Sequence, residues 1–254
     1  MDSKNFALLF TPRSGSTLVA DDLEKNGYGT SSEIFMDKTC TFKKVDFLRL
    51  NNDLPFSEFR LIQSLFTRNG AFGFKINYQS LLLIKKYFQS KSVEDVLPNL
   101  FGNVSIIRVK RIDKIRQALS LVVAAVTNQW NSSSTANSEA SQSLEALKDP
   151  ELFIRIYDRL QEIQLEEYAI DIFLSKYFHG RWIEVVYEEY IQDRKASVAS
   201  ILKFLEILPP VDVVLSDRLQ VQSTEWSVAV AARFERWLLS EMYLDFYQHK
   251  KIII

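Results

Sequence analysis

The stretch that most limits the fold is the apolar run Phe6-Ala7-Leu8-Leu9-Phe10 and the segment after it, Thr11-Pro12-Arg13-Ser14-Gly15-Ser16-Thr17-Leu18. An unbroken apolar run ending at a proline reads as a strand buried on both faces of a parallel sheet. From Ser16 onward, Leu18, Val19 and Leu23 recur at helical spacing. The turn between them gathers Arg13, Gly15 and the hydroxyls of Ser14, Ser16 and Thr17. The first amides of a helix lack internal partners, and the positive end of its dipole favours an anion there. Gly15 allows close backbone approach, the hydroxyls add donors, and Arg13 adds a permanent charge with a forked donor set. An ordinary helix cap needs one such hydroxyl; this turn carries more than a cap requires. It is not a nucleoside-triphosphate loop, because Gly-x-x-x-x-Gly-Lys-Ser/Thr does not occur.

The 254 residues suffice for one α/β domain or two small ones. At this length roughly three quarters of the unfolded surface can be buried. The formal net charge of −1 argues against a general nucleic-acid binder. One cysteine, Cys40, rules out an internal disulfide and gives no metal cluster. No signal-peptide pattern and no apolar run of about 20 residues is present, so a soluble, cytoplasmic chain is expected.

Beyond the opening unit, strands are predicted at Ala71–Ile76, Val104–Arg108 and Trp182–Val186. Helices are predicted at Ser16–Asn26, Leu54–Asn69, Gln79–Gln89, Ile112–Trp130, within Pro150–Phe178, at Lys195–Ile207 and at Glu225–Gln248. Strands separated by helices imply βαβ units, hence an α/β fold with a central parallel sheet flanked by helices. No break divides residues 1–254, so a single domain is expected. Asn131–Gln142 is rich in Ser, Asn and Ala without period, and 131–148 is expected to be a mobile loop, a candidate lid.

In an open parallel sheet, ligands gather beyond the carboxyl ends of the strands. Arg111 lies just past the third strand and can face the same crevice as Ser14. A basic helix start opposes the dipole unless an anion offsets it. Ser120 follows nine residues later; at about 100° per residue, register alone does not put it on the face of Arg111. Lys75 is expected to end the second strand and open onto the crevice, or to snorkel from a sheet edge. Glu33 returns after the first helix by a short loop and is a candidate base. His179 and His249 lie near helix ends, away from strand ends.

The Thr-Pro-Arg-Ser-Gly-Ser-Thr string resembles the 5′-phosphosulfate loop of sulfotransferases, most of all the branch that includes the trehalose 2-sulfotransferases. Arg111-x-Asp113 with Gln117-Ala118-x-Ser120 is similar to the same branch. So are Glu33-x-Phe35, the Tyr187-Glu188 segment after the fourth strand, and Ser223-Thr224-Glu225-Trp226. The resemblance implies that Ser14, Gly15, Ser16 and Thr17 cradle the 5′-phosphate of 3′-phosphoadenosine 5′-phosphosulfate (PAPS). It places Arg13 toward the bridging oxygen, Arg111 and Ser120 at the 3′-phosphate, and Tyr187 near the nucleotide. Glu33 is then the base and Arg13 the stabiliser of the leaving oxygen. Apart from the resemblance, Lys75 is a candidate for holding the sulfuryl oxygens or an acceptor, and Phe35 for stacking on a sugar face. The activity implied is PAPS-dependent sulfuryl transfer to a hydroxyl of a carbohydrate or glycolipid, without a metal, in a possible homodimer. A nucleotide-binding protein of this fold without catalysis and a nucleotide-dependent kinase are the alternatives.

Overall fold

The computed structural model describes residues 4–31, 33, 63–87, 95, 97–98, 102–130, 148–217 and 225–250. Phe35, Cys40, most of the helix predicted at Leu54–Asn69, the loop predicted at 131–148 up to residue 147, and Ser223-Thr224 lie outside those residues. The chain groups into two compact units, Met1–Ile112 with Leu165–Arg218, and Asp113–Gln164 with Leu219–Ile254.

The first unit holds the sheet. β1 (Lys4–Phe10), β2 (Ala71–Asn77), β3 (Val104–Lys110) and β4 (Trp182–Val186) run in the order β2-β1-β3-β4. Every pairing is parallel, with Leu8 level with Lys75 on one side and Ile107 on the other. The fold is therefore α/β, as the strand and helix spacing predicts. Position explains the apolar run: β1 has a strand on each side and its residues from Phe6 to Phe10 are all buried. Alternate residues face opposite ways. Ala7, Leu9, Phe72, Phe74 and Ile106 share a core with Ile170, Phe173, Leu174 and Phe178. These last belong to the C-terminal part of a single long helix, Asp149–Tyr177, and the residue just beyond it. Helix α1 (Ser16–Lys25) packs over β1 and β2 and against the helix Arg194–Phe204. Gly73 makes room for Phe6, whose ring stands where a Cβ would be, at 2.0 Å.

The second unit is helical. The helix Lys114–Thr127, the N-terminal part of Asp149–Tyr177 and the helix Glu225–Lys250 share the core Ala118, Leu119, Val122, Phe153, Ile156 and Phe234. Phe153 meets Phe234 edge-on at 5.9 Å, and Arg233 donates to Asp149 at 3.0 Å.

Three boundaries near the site differ from those predicted. The helix expected from Ile112 to Trp130 starts at Lys114, because the Asp113 carboxylate caps it by accepting from the Arg116 N–H at 2.9 Å. It stops at Thr127, because Asn128 adopts the left-handed conformation. β2 continues two residues past Lys75, so Lys75 does not end the strand, and its side chain is only 3% exposed rather than snorkelling.

Candidate functional site

The switch in strand order lies at β1, whose two neighbours are reached by connections on opposite sides. Sites in open α/β sheets form at such a point, outside the carboxyl ends. The turn after β1 is tight: the Ser14 N–H donates to Thr11 O at 3.3 Å, and both Arg13 (φ 63°) and Gly15 (φ 89°) are left-handed. Turns of this kind gather backbone N–H groups into a concavity suited to anions. α1 begins at Ser16 with no side-chain cap. Ser14 is fully buried, and its Oγ has no hydrogen-bond partner.

The adjacent strand β3 delivers Arg111 in a non-helical residue, directly after Lys110. Arg13 and Arg111 lie close enough that burial, and then the charge of Arg111, hold Arg13 below its ordinary pKa. β4 ends in a short helix, Tyr187–Tyr190. The Tyr187 ring lies against Gly15, where an added Cβ would come within 2.2 Å of Tyr187 Cδ2. The guanidinium carbon of Arg111 lies 5.3 Å from the centre of the same ring. Glu188 closes the group: its Oε2 accepts from the Ile112 N–H at 2.9 Å, and its Oε1 lies 3.9 Å from Arg111 Nε.

On the other side of the loop, Lys75 Nζ donates to Thr17 Oγ1 at 2.8 Å and to Glu33 Oε1 at 3.1 Å. It also sits 5.0 Å from the centre of the Phe10 ring. Burial lowers the Lys75 pKa, and the Glu33 carboxylate opposes that shift. The segment leading to Glu33 is tied to β2 and to α1: Thr30 N–H donates to Gly73 O at 2.9 Å, and Ser31 N–H to Glu24 Oε2 at 3.1 Å.

A buried ion pair behind α1 holds that helix in place. The Asp22 carboxylate, 0% exposed, accepts from Tyr190 Oη at 2.6 Å, Arg194 Nε at 2.9 Å, Arg194 Nη2 at 2.6 Å and the Ser216 N–H at 2.7 Å. The hydrogen bond to Asp22 raises the Arg194 pKa, while burial and then Asp22 raise that of Tyr190. Asn26 completes the anchorage, donating to Val214 O at 2.7 Å and accepting from Val214 N–H at 3.0 Å.

Of the residues named from the sequence, Arg13, Ser14, Gly15, Ser16, Thr17, Glu33, Lys75, Arg111 and Tyr187 all lie in the first unit, on the loop after β1 or on elements that touch it. Ser120 lies half-buried on the helix Lys114–Thr127 of the second unit, so its place at a 3′-phosphate rests on family resemblance alone. His179 is exposed, as expected of a solvated histidine. Asp22, Tyr190 and Arg194 carry no role predicted from the sequence, and Glu188 enters there only within the Tyr187-Glu188 segment. Asp21-Asp22 within the otherwise buried stretch Leu18–Leu23 was the available signal, since a carboxylate on a buried helix face needs partners. Among the described residues no helix is long and apolar enough to cross a membrane, and no group of three or more His, Cys, Asp or Glu side chains could hold a metal ion.

The fold and this loop define a parallel α/β protein built around a strand–loop–helix at the centre of its sheet. A family model described as Stf0 sulphotransferase matches residues 5–236, and the chain belongs to that family. It is accordingly a sulfotransferase, an enzyme that takes a sulfuryl group from a sulfate donor to a small-molecule acceptor, and the kinase alternative falls away. Two solved structures are similar to it. One is a sulfotransferase from Alicyclobacillus acidocaldarius, at 15% identity over 92% of this chain and 94% of that one, with a TM-score of 0.49. The other is the sulfotransferase domain of the Synechococcus PCC 7002 olefin synthase, at 14% identity over 91% and 87%, with a TM-score of 0.38. No curated protein sequence matches the chain.

Proposed function

We propose that this chain transfers the sulfuryl group of PAPS to a hydroxyl of a carbohydrate or glycolipid acceptor, in the cytoplasm and by in-line attack. The observation that carries the reading is the turn after β1, left-handed at Arg13 and Gly15, with the buried, unpartnered Ser14 Oγ beside an uncapped helix start. Arg111, at the end of the neighbouring strand β3, adds a second cation. The donor set fits phosphate: the left-handed turn, the unpartnered Ser14 Oγ and the start of α1 can all donate.

PAPS supplies an activated sulfuryl group on a phosphosulfate linkage. The loop Ser14–Thr17 holds the 5′-phosphate, and Arg111 holds the 3′-phosphate. Arg13 and the dipole of α1 offset the negative charge that grows on the bridging oxygen. Glu33 accepts the proton of the attacking hydroxyl, and Lys75 holds its Oε1 in place. Such catalysis is mostly positioning and charge, as in phosphoryl transfer. The likeness to the trehalose branch also implies a homodimer, which light scattering tests.

Calorimetry with adenosine 3′,5′-bisphosphate against ADP and ATP tests the donor. Tighter binding of the bisphosphate supports the reading, and tighter binding of ATP contradicts it. Transfer of radiolabelled sulfate from PAPS across a panel of sugars and glycolipids tests the acceptor class. Binding of the donor without transfer to any member would favour a nucleotide-binding protein without turnover.

A further inference from the structure

Two residues to which the sulfuryl-transfer steps assign no role lie against Arg111 at the end of β4. Tyr187 meets both the loop and Arg111: Gly15 lies against the Cδ2–Cε2 part of the ring, and the Arg111 guanidinium carbon lies 5.3 Å from its centre. The fit at Gly15 is so close that the ring fills the space a Cβ would need. Glu188 accepts from the Ile112 backbone N–H at the exit of β3 and forms a longer ion pair with Arg111 Nε, at 3.9 Å. Both residues sit on the first turn after β4, which pairs with β3 in fixed parallel register up to Lys110 and Val186. The turn after β4 thus presents one aromatic ring and one carboxylate to the Arg111 side chain.

We propose that Tyr187 and Glu188 are positioning residues that fix the separation between the loop Ser14–Thr17 and Arg111, and that they thereby set the preference for a nucleotide phosphorylated at both 5′ and 3′ positions over a 5′-monophosphate. The inference rests on the donor reading above. A 5′-monophosphate engages the loop alone and gains nothing from a placed Arg111. A 3′,5′-bisphosphate must meet both at once, so it alone loses when the guanidinium is free to wander or collapses onto the loop. Loss of the Glu188 charge also makes the whole region more positive, which favours the more highly charged bisphosphate more, so a fall in its relative affinity runs against the charge effect and reports lost positioning. The ratio of the two affinities is therefore the informative quantity.

The test is calorimetry of adenosine 3′,5′-bisphosphate and adenosine 5′-phosphate with the full chain, its Glu188→Gln variant and its Tyr187→Leu variant. In the unsubstituted chain the bisphosphate binds tighter. In each variant the ratio of affinities falls about tenfold, equivalent to roughly 1.4 kcal/mol, with the loss on the bisphosphate side. Tyr187→Leu keeps an apolar side chain at that place and serves if Glu188→Gln does not fold. A defect of folding alone lowers both affinities together and leaves the ratio unchanged. A ratio within twofold of the original in a folded variant overturns the proposal while leaving the donor reading intact. An unsubstituted chain that does not discriminate between the two nucleotides overturns the donor reading, and this proposal with it.

Discussion

Substitution of Gly15 by alanine tests the loop most directly, because two separate penalties meet at that residue. The backbone there is left-handed at φ +89°. An L-residue with a Cβ loses about 1–2 kcal/mol in that region. The new methyl would also stand 2.2 Å from Cδ2 and 2.8 Å from Cε2 of Tyr187. The ring would have to withdraw by roughly an ångström to restore ordinary contact, and forced overpacking of this kind costs about 1–3 kcal/mol. Together the loss is about 2–5 kcal/mol, which for a chain of this size lowers the thermal midpoint by roughly 5–15 °C. The two penalties separate in a double-mutant cycle. With Tyr187 already replaced by alanine, Gly15→Ala retains only the backbone penalty, about 1–2 kcal/mol. Differential scanning calorimetry of the four proteins measures both legs. Equal losses in the two backgrounds would show that Tyr187 does not lie on Gly15, and no loss in either would show that the loop is not left-handed.

Asp22→Ala leaves Arg194, the Tyr190 hydroxyl and the Ser216 N–H without their shared acceptor. Breaking such a buried pair is expected to cost about 3–5 kcal/mol in urea denaturation; a loss under about 1 kcal/mol would contradict the network. Glu33→Gln is expected to lower sulfate transfer by about 10²–10⁴-fold while binding of adenosine 3′,5′-bisphosphate persists; undiminished turnover would remove Glu33 from the mechanism. Tyr190 titrates above its ordinary value of 10.0, owing to burial and then to its hydrogen bond to Asp22. The folded state therefore keeps a proton that the unfolded state releases, and its contribution is complete below pH 10 and declines as pH rises beyond it, by up to about 1.4 kcal/mol per pH unit. Denaturation curves at several alkaline pH values should show this decline in the unsubstituted chain and its absence in Tyr190→Phe; parallel slopes in the two proteins would refute it.

How far the sequence carries depends on whether a feature is local. The run Phe6–Phe10 is legible because a strand with parallel neighbours on both sides must be apolar throughout. The loop is legible because its residue types are concentrated within a few positions of one glycine. Lys75 is different. Burying an ammonium is costly, so a lysine near the end of an apolar run reads as the place where a strand meets water. The groups that make burial tolerable, Thr17 and Glu33, lie 58 and 42 positions away along the chain. Asp22 presents the same difficulty, with partners 168 to 194 positions distant. Helix ends fall between these cases: Asp113 is a readable cap, but Asn128 ends its helix through a backbone conformation that its neighbours do not announce.

The central place of β1 also bears on how the chain is made. Arg194 follows Asp22 by 172 positions. At the roughly 5–20 residues per second of ribosomal synthesis, α1 is complete on the order of 10–30 s before its counter-ion exists. Throughout that interval the Asp22 carboxylate stays hydrated, and until β2 and then β3 are made the apolar run of β1 has an open edge available to other nascent chains. Polypeptides released before β4 keep the outer edge of β3 open and Asp22 without Arg194, and are expected to be held by chaperones or to aggregate rather than accumulate as partly active enzyme.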